Sequence, residues 1–149
     1  MLEIAVCDYL LSNGAVAAIA AARGYVQKFP QSAEFPAFRV QLIDDIEQAH
    51  LRGGSATRPA RVQVDAVGEE SSGVDAYGQA VALAGAIEGA MMNKAPFKVT
   101  VSDGGSPAVQ TVLELKVVRS EATPPIYDQA ELNQFKVGRD YIVWARVVS

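Results

Sequence analysis

The chain holds 149 residues, half of them hydrophobic, with a formal net charge of −4. That length predicts one compact domain spanning 1–149, and the 40 Leu, Ile, Val and Phe residues exclude a wholly disordered chain. A single cysteine excludes a disulfide scaffold, and the negative balance argues against a nucleic-acid binder that works by neutralising phosphates. With 24 alanines and 19 valines, many core positions must be filled by small side chains. The longest apolar run, Ala80–Ile87, stops at Glu88 and is too short to cross a membrane. Met1-Leu2-Glu3 does not read as the start of a secretory signal.

In chain order, residues 2–12 read as an amphipathic helix with Leu2, Val6, Tyr9 and Leu10 on one face. Asn13-Gly14 is expected to end it by adopting the left-handed conformation. Ala15–Ala22 predicts a second, shorter helix up to Arg23-Gly24, followed by a short strand at Tyr25–Gln27 and a loop bounded by Pro30 and Pro36. From Ala37 the period changes to two. Phe38, Val40 and Leu42 alternate with Arg39 and Gln41, and Val62, Val64 and Ala66 with Gln63 and Asp65. Residues 37–67 therefore predict a long hairpin with a flexible tip at about 47–57. Pro59 is unsuited to a central strand and places that end at an edge or a bulge.

Residues 74–92 give the clearest helix, with Ser71 or Ser72 as its cap. At 100° per residue, Ala76, Ala80, Leu83, Ala84, Ile87 and Met91 form one apolar arc, and Gly78, Ala82, Gly85 and Gly89 form a separate arc of very small residues. That second arc admits close packing, either on the chain's own sheet or on a neighbouring subunit. Phe97–Val101 and Val109–Val118 flank a turn at 102–107 containing Asp103, Gly104 and Gly105. Glu121–Gln134 reads as a surface loop, flexible over about 120–134. The last strand, Phe135–Val148, puts Phe135, Val137, Tyr141, Val143 and Ala145 on one face and Ile142 and Trp144 on the other, with both sides of its second half covered. The class is α+β: an antiparallel sheet with a long hairpin, covered on one face by the N-terminal helix and the long central helix.

Catalytic signals are weak. Cys7 and His50 are the only residues of their type. Cys7 lies in a helix where a small buried apolar residue is expected, and His50 lies near a glycine-rich tip, a poor platform for a base. One His and one Cys do not make a zinc ligand set, and no cofactor is implied. Gly53-Gly54 and Gly104-Gly105 lack the Lys-Ser or Lys-Thr of a phosphate-binding loop and read as turns. Asp44, Asp45 and Glu47 lie at the opposite end of the hairpin from Asp65, Glu69 and Glu70, so the two groups do not form one metal site, and solvated surface is their expected environment. Arg52, Arg58 and Arg61 gather at the tip, too few for a nucleic-acid footprint. Long arms and exposed strand edges instead invite pairing with other chains.

Several segments in order carry a family resemblance: Gly14-Ala15-Val16-Ala17-Ala18-Ile19, Phe35-Pro36-Ala37-Phe38-Arg39-Val40, Arg61-Val62-Gln63-Val64-Asp65-Ala66, Asp75-Ala76-Tyr77, Tyr127-Asp128, Phe135-Lys136-Val137, and Tyr141 through Arg146. Through these the chain resembles the tail-completion, or tail-terminator, proteins of long-tailed bacteriophages. The resemblance implies a non-enzymatic subunit of a ring, typically of six copies. That ring caps the tail tube, ends its polymerisation and joins the tail to the head-closure proteins at the head–tail junction of the virion, after assembly in the host bacterial cytoplasm. DNA passes through the channel without specific binding, and no membrane is involved.

The surfaces expected to serve this role are the tip (His50, Arg52, Gly53, Gly54, Arg58), the small-residue arc (Gly78, Ala82, Gly85, Gly89) and the turn (Asp103, Gly104, Gly105). Asp44, Asp45 and Glu47 are the expected channel-facing acids. The alternatives are another neck or minor tail component, such as a head-closure protein, and a small α+β ligand-binding domain or enzyme.

Overall fold

The computed structural model describes residues 2–44, 57–70, 75–92, 96–102, 105–122, 126–128 and 134–148. The elements run α1 (Leu2–Ser12), α2 (Gly14–Ala20), β1 (Gly24–Val26), β2 (Ala37–Asp44), β3 (Thr57–Glu69), α3 (Ala76–Met91), β4 (Phe97–Ser102), β5 (Gln110–Ala122), β6 (Ile126–Asp128) and β7 (Gln134–Val147). The strands form one seven-stranded sheet in the order β1-β2-β3-β7-β5-β4, with β6 also on β7. The helices pack on one face, giving the expected α+β class.

The sheet is not wholly antiparallel, because β1 lies parallel to β2 in the register Gly24↔Phe38 to Val26↔Val40. Residues 27–36 carry the chain back to the starting end of the sheet, where a tight hairpin would have reversed it. The predicted loop at 121–134 also contains strand: β5 runs on to Ala122 opposite Arg139, and β6 then pairs with β7 from Ile126↔Lys136 to Asp128↔Gln134.

Local chemistry explains where the helices start and stop. Asn13 is extended (φ −79°, ψ 127°), not left-handed, and its Oδ1 accepts from the N–H groups of Ala15 and Val16 at 3.0 and 3.2 Å. It is thus the N-cap of α2. Ala21, with φ 52°, ends that helix. Gly24 begins β1 and leaves room for Phe38 and Leu11, whose side chains a Cβ there would strike. The cap of α3 is Asp75 (φ −92°, ψ 118°), whose Oδ1 accepts from Tyr77 N–H at 3.1 Å. Ser71 and Ser72 lie outside the described residues.

The period-two pattern puts Phe38, Val40, Val62, Val64, Tyr141 and Val143 under the helices, against Val6 and Leu10 of α1, Val16 and Ala20 of α2, and Leu83, Ile87 and Met91 of α3. Fully burying one such side chain contributes about 1.5–3 kcal/mol. Tyr9 ties α1 to both flanks: its ring stacks on Phe97 at 3.7 Å between centroids, and its hydroxyl donates to the carbonyl of Ala90 at 2.8 Å. Gly68 lets β3 meet the start of α3, since a Cβ there would collide with the Ala76 carbonyl. Among the described residues, no single helix is long and apolar enough to cross a membrane.

Pro59 lies in β3, opposite Trp144. The described pairing of β2 ends at Asp44↔Arg61 after an irregularity between Leu42 and Asp44. Over Thr57–Ala60, β3 therefore pairs only with β7 among the described residues, which is the edge that a proline tolerates. The second half of β7 is not covered on both sides: Trp144 is 40% exposed, because all three helices lie on the other face.

Candidate functional site

α3 differs from an ordinary surface helix in having no charge on its outer face. Its inner arc (Ala76, Ala80, Leu83, Ile87, Met91) is buried. Its outer face carries Tyr77, Gly78, Val81, Ala82, Gly85 and Gly89, all exposed, with Tyr77 57% and Val81 43% accessible. A Cβ on Gly85 or Gly89 would meet nothing within 4 Å. The small-residue arc therefore points away from the chain's own sheet, which removes the first of the two readings of that arc.

The polar residues of α3 turn toward the fold. Gln79 Oε1 accepts from the N–H of Glu69 at 3.3 Å. Glu88, the helix's one charged residue, accepts from the Tyr141 hydroxyl at 2.8 Å and from Ser120 Oγ at 3.1 Å, and it faces Arg139 Nε at 3.3 Å. Burial first, then the hydrogen bond to Glu88 and its charge, hold the Tyr141 phenol well above its ordinary range, opposed by Arg139. A soluble helix normally shows water its charged side and the core its apolar side. Here the inner arc is apolar as usual, but the outer face carries only small and apolar residues. The helix's one carboxylate, about one-third exposed, lies between the two and bonds to β5 and β7.

The uncovered face of the sheet is the second surface. Asp65 is fully buried there, not solvated as expected, because strand register sets it opposite Arg39. Arg39 Nε donates to Asp65 Oδ2 at 2.8 Å, and Gln63 Nε2 donates to Oδ1 at 2.8 Å. The Phe29 ring covers this guanidinium at 5.6 Å. Arg61 pairs within the chain, with Asp140 at 3.4 Å and Glu121 at 3.8 Å. Arg146 pairs with Glu114 at 2.7 Å. Arg39, Arg61, Lys98, Lys116, Lys136 and Arg146 share this face with Asp65, Glu69, Glu114, Glu121 and Asp140. Among described side chains, cations thus exceed carboxylates here by one, although the chain carries −4 overall.

At one end of this face lies a pocket of about 400 Å³ lined by Pro96, Glu114, Lys116, Val118, Trp144 and Arg146 over the strand backbone at Leu115 and Ala145. The sequence reading missed it. The signal was the lone tryptophan on the polar face of β7, next to the irregularity between Val117 and Arg119 in β5 that turns Val118 outward.

Cys7 is buried in α1, where burial and then the Asp8 carboxylate push its thiol up to about 11. A nucleophilic cysteine needs the opposite shift. His50, Arg52, Gly53, Gly54, Asp45, Glu47, Asp103 and Gly104 lie outside the described residues. Asp44 and Arg58 are placed by their backbones at the ends of β2 and β3 nearest the hairpin tip, and Gly105 is exposed beyond β4. Among the described residues, no three His, Cys, Asp or Glu side chains gather as metal ligands.

No family model and no curated protein matches the chain. A chain in a solved structure described as "Virion of native gene transfer agent (GTA) particle" has the same fold, with a TM-score of 0.54 at 19% identity, over 98% of this chain and 93% of that one. At that identity the likeness is one of fold, and it extends over nearly the whole of both chains.

Proposed function

We propose that the chain is a structural subunit of a phage-like virion. We read it more finely as a tail terminator, whose copies close into a ring on the end of the tail tube, stop its growth and present a surface to the head-closure proteins. The observation that carries this reading is the fold likeness, along almost the full length of both chains, to a component of a gene transfer agent virion. The uncharged outer face of α3 agrees with it: such a face favours contact with another protein. The small residues Gly78, Ala82, Gly85 and Gly89 let that contact come close. The tip around His50–Arg58 and the turn at Asp103–Gly105 are the expected contacts with tube or neighbours. Asp44, Asp45 and Glu47 are the acids expected to face passing DNA, where carboxylates repel phosphates and leave the genome free to move. Six copies and head–tail placement are what the resemblance implies.

Light scattering after size exclusion, with negative-stain imaging, tests the proposal. Closed rings, alone or on tube ends, are expected; a strictly monomeric chain that never binds tubes refutes it. The second reading, another neck component, predicts binding to head-closure protein without capping of tubes.

A further inference from the structure

We propose that the Trp144 pocket is a socket for the Tyr77 end of α3 in a second copy of this chain. The inference rests on the ring reading and names the two surfaces that meet. The pocket is concave, and its apolar wall comes from Trp144 and Val118, 40% and 46% exposed. Its border is basic. Lys116 and nearby Lys98 have no ion-pair partner among the described residues, and Arg146, half-exposed, shares the border with the one carboxylate, Glu114.

The Tyr77 end of α3 carries an exposed aromatic ring and acidic residues. Tyr77 stands edge-on against Phe135 at 5.0 Å, with 57% of its surface exposed, and Val81 follows one turn later. Asp75, the exposed cap of α3, accepts from the Tyr77 N–H, and Glu70, also exposed, follows the end of β3 that Gly68 sets against Ala76. Apolar knob, apolar socket and borders of opposite charge select a copy of the same chain as the occupant.

The two patches cannot meet within one molecule. Tyr77 lies on the helix side beside Phe135, and the pocket lies on the opposite face at Trp144. That separation along β7 is about 30 Å at 3.3 Å per residue. Distinct patches on opposite faces make a head-to-tail contact, the type that closes into rings. A buried tyrosine supplies about 150–250 Å² of the roughly 800 Å² each partner needs. The socket is therefore the anchor of a larger contact, to which the rest of the outer face of α3 adds.

Trp144 is the chain's one tryptophan, so its emission reports on the socket directly. In a dilution series, emission should shift to the blue as copies associate. Tyr77→Ala should weaken association about tenfold or more and abolish the shift at matched concentration. Lys116→Glu should weaken it several-fold, and adding Glu70→Lys should restore it. All these positions are exposed, and far-UV circular dichroism confirms folding of each variant. Rings that form with unchanged Trp144 emission, or without sensitivity to Tyr77→Ala, overturn the socket and leave the ring reading standing. A blue shift seen only on adding tail tubes assigns the pocket to the tube protein and overturns it too. A chain that neither associates nor binds tubes sinks both.

Discussion

Replacing Glu88 by alanine removes the acceptor shared by Tyr141, Ser120 and Arg139. Tyr141 is 1% exposed, and Glu88 is its hydroxyl's one partner among the described residues. Stranding that hydroxyl costs about 1–3 kcal/mol. The Arg139 side chain is 36% exposed and Glu88 34%, so solvent screens their attraction to under about 1 kcal/mol. Arg139 also keeps its 3.0 Å bond to Ser120 Oγ. Alanine returns a few tenths of a kcal/mol in helix propensity. The net loss for Glu88→Ala is about 2 kcal/mol, or roughly 4–8 °C in Tm for a domain of this size. Glu88→Gln keeps an acceptor for Tyr141 and should cost under about 1 kcal/mol. Tyr141→Phe should cost about 1 kcal/mol, because Glu88 retains Ser120, Arg139 and partial access to water. The double variant Glu88→Ala/Tyr141→Phe should lose less than the two singles together, by about 1 kcal/mol. Urea unfolding with an unchanged slope measures all four variants. A Glu88→Ala midpoint indistinguishable from the parent, or strict additivity in the double, refutes the shared-acceptor argument.

Gly85→Ala and Gly89→Ala should each stabilise the isolated chain by about 0.5–1 kcal/mol in urea, since the new methyl meets open space and glycine is the poorer helix former. Gly85→Trp should leave the fold intact and stop assembly, read by light scattering, whereas Gly68→Ala should destabilise, because the Ala76 carbonyl cannot yield. Asp65→Ala strands Arg39 and should cost about 2–4 kcal/mol in the same assay, with Asp65→Asn costing less. The folded Cys7 thiol is raised from 9.0 to about 11. Its contribution to stability is therefore complete below pH 9 and is lost as the unfolded chain alone ionises between pH 9 and 11, at about 1.4 kcal/mol per pH unit. Cys7→Ala should flatten that alkaline decline, and in the parent a thiol reagent at neutral pH should react only on unfolding.

The elements were legible because their periods are local. Phe38-x-Val40 and Val62-x-Val64-x-Ala66 alternate, and the arc from Ala76 to Met91 repeats at helical spacing; each depends only on the geometry of its own segment. Punctuation was read less well. Asn13 before Gly14 suits a left-handed helix end, yet the demand of the next helix for an N-cap decided its conformation. Asp75 won the cap of α3 because Gly68 packs β3 against the carbonyl of Ala76 and fixes where the helix begins. Of the two surfaces described, the small-residue arc of α3 was visible in the sequence and the pocket at Trp144 was not. An exposed tryptophan and a covered one look alike in a strand pattern until the helices have chosen a face.

By itself, then, the sequence determined an α+β fold class with a single cysteine and a single histidine, and a central helix carrying an apolar arc and a separate arc of very small residues. Only the tertiary structure decided which arc faces outward. Glu88 and Gln79, both half-buried, found partners in β5, β7 and β3. The larger apolar arc took the sheet, and the small residues were left facing solvent. The tertiary structure likewise decided that Asp65 is buried and Trp144 is not, because strand register and the choice of covered face are relations between distant segments that no local pattern contains.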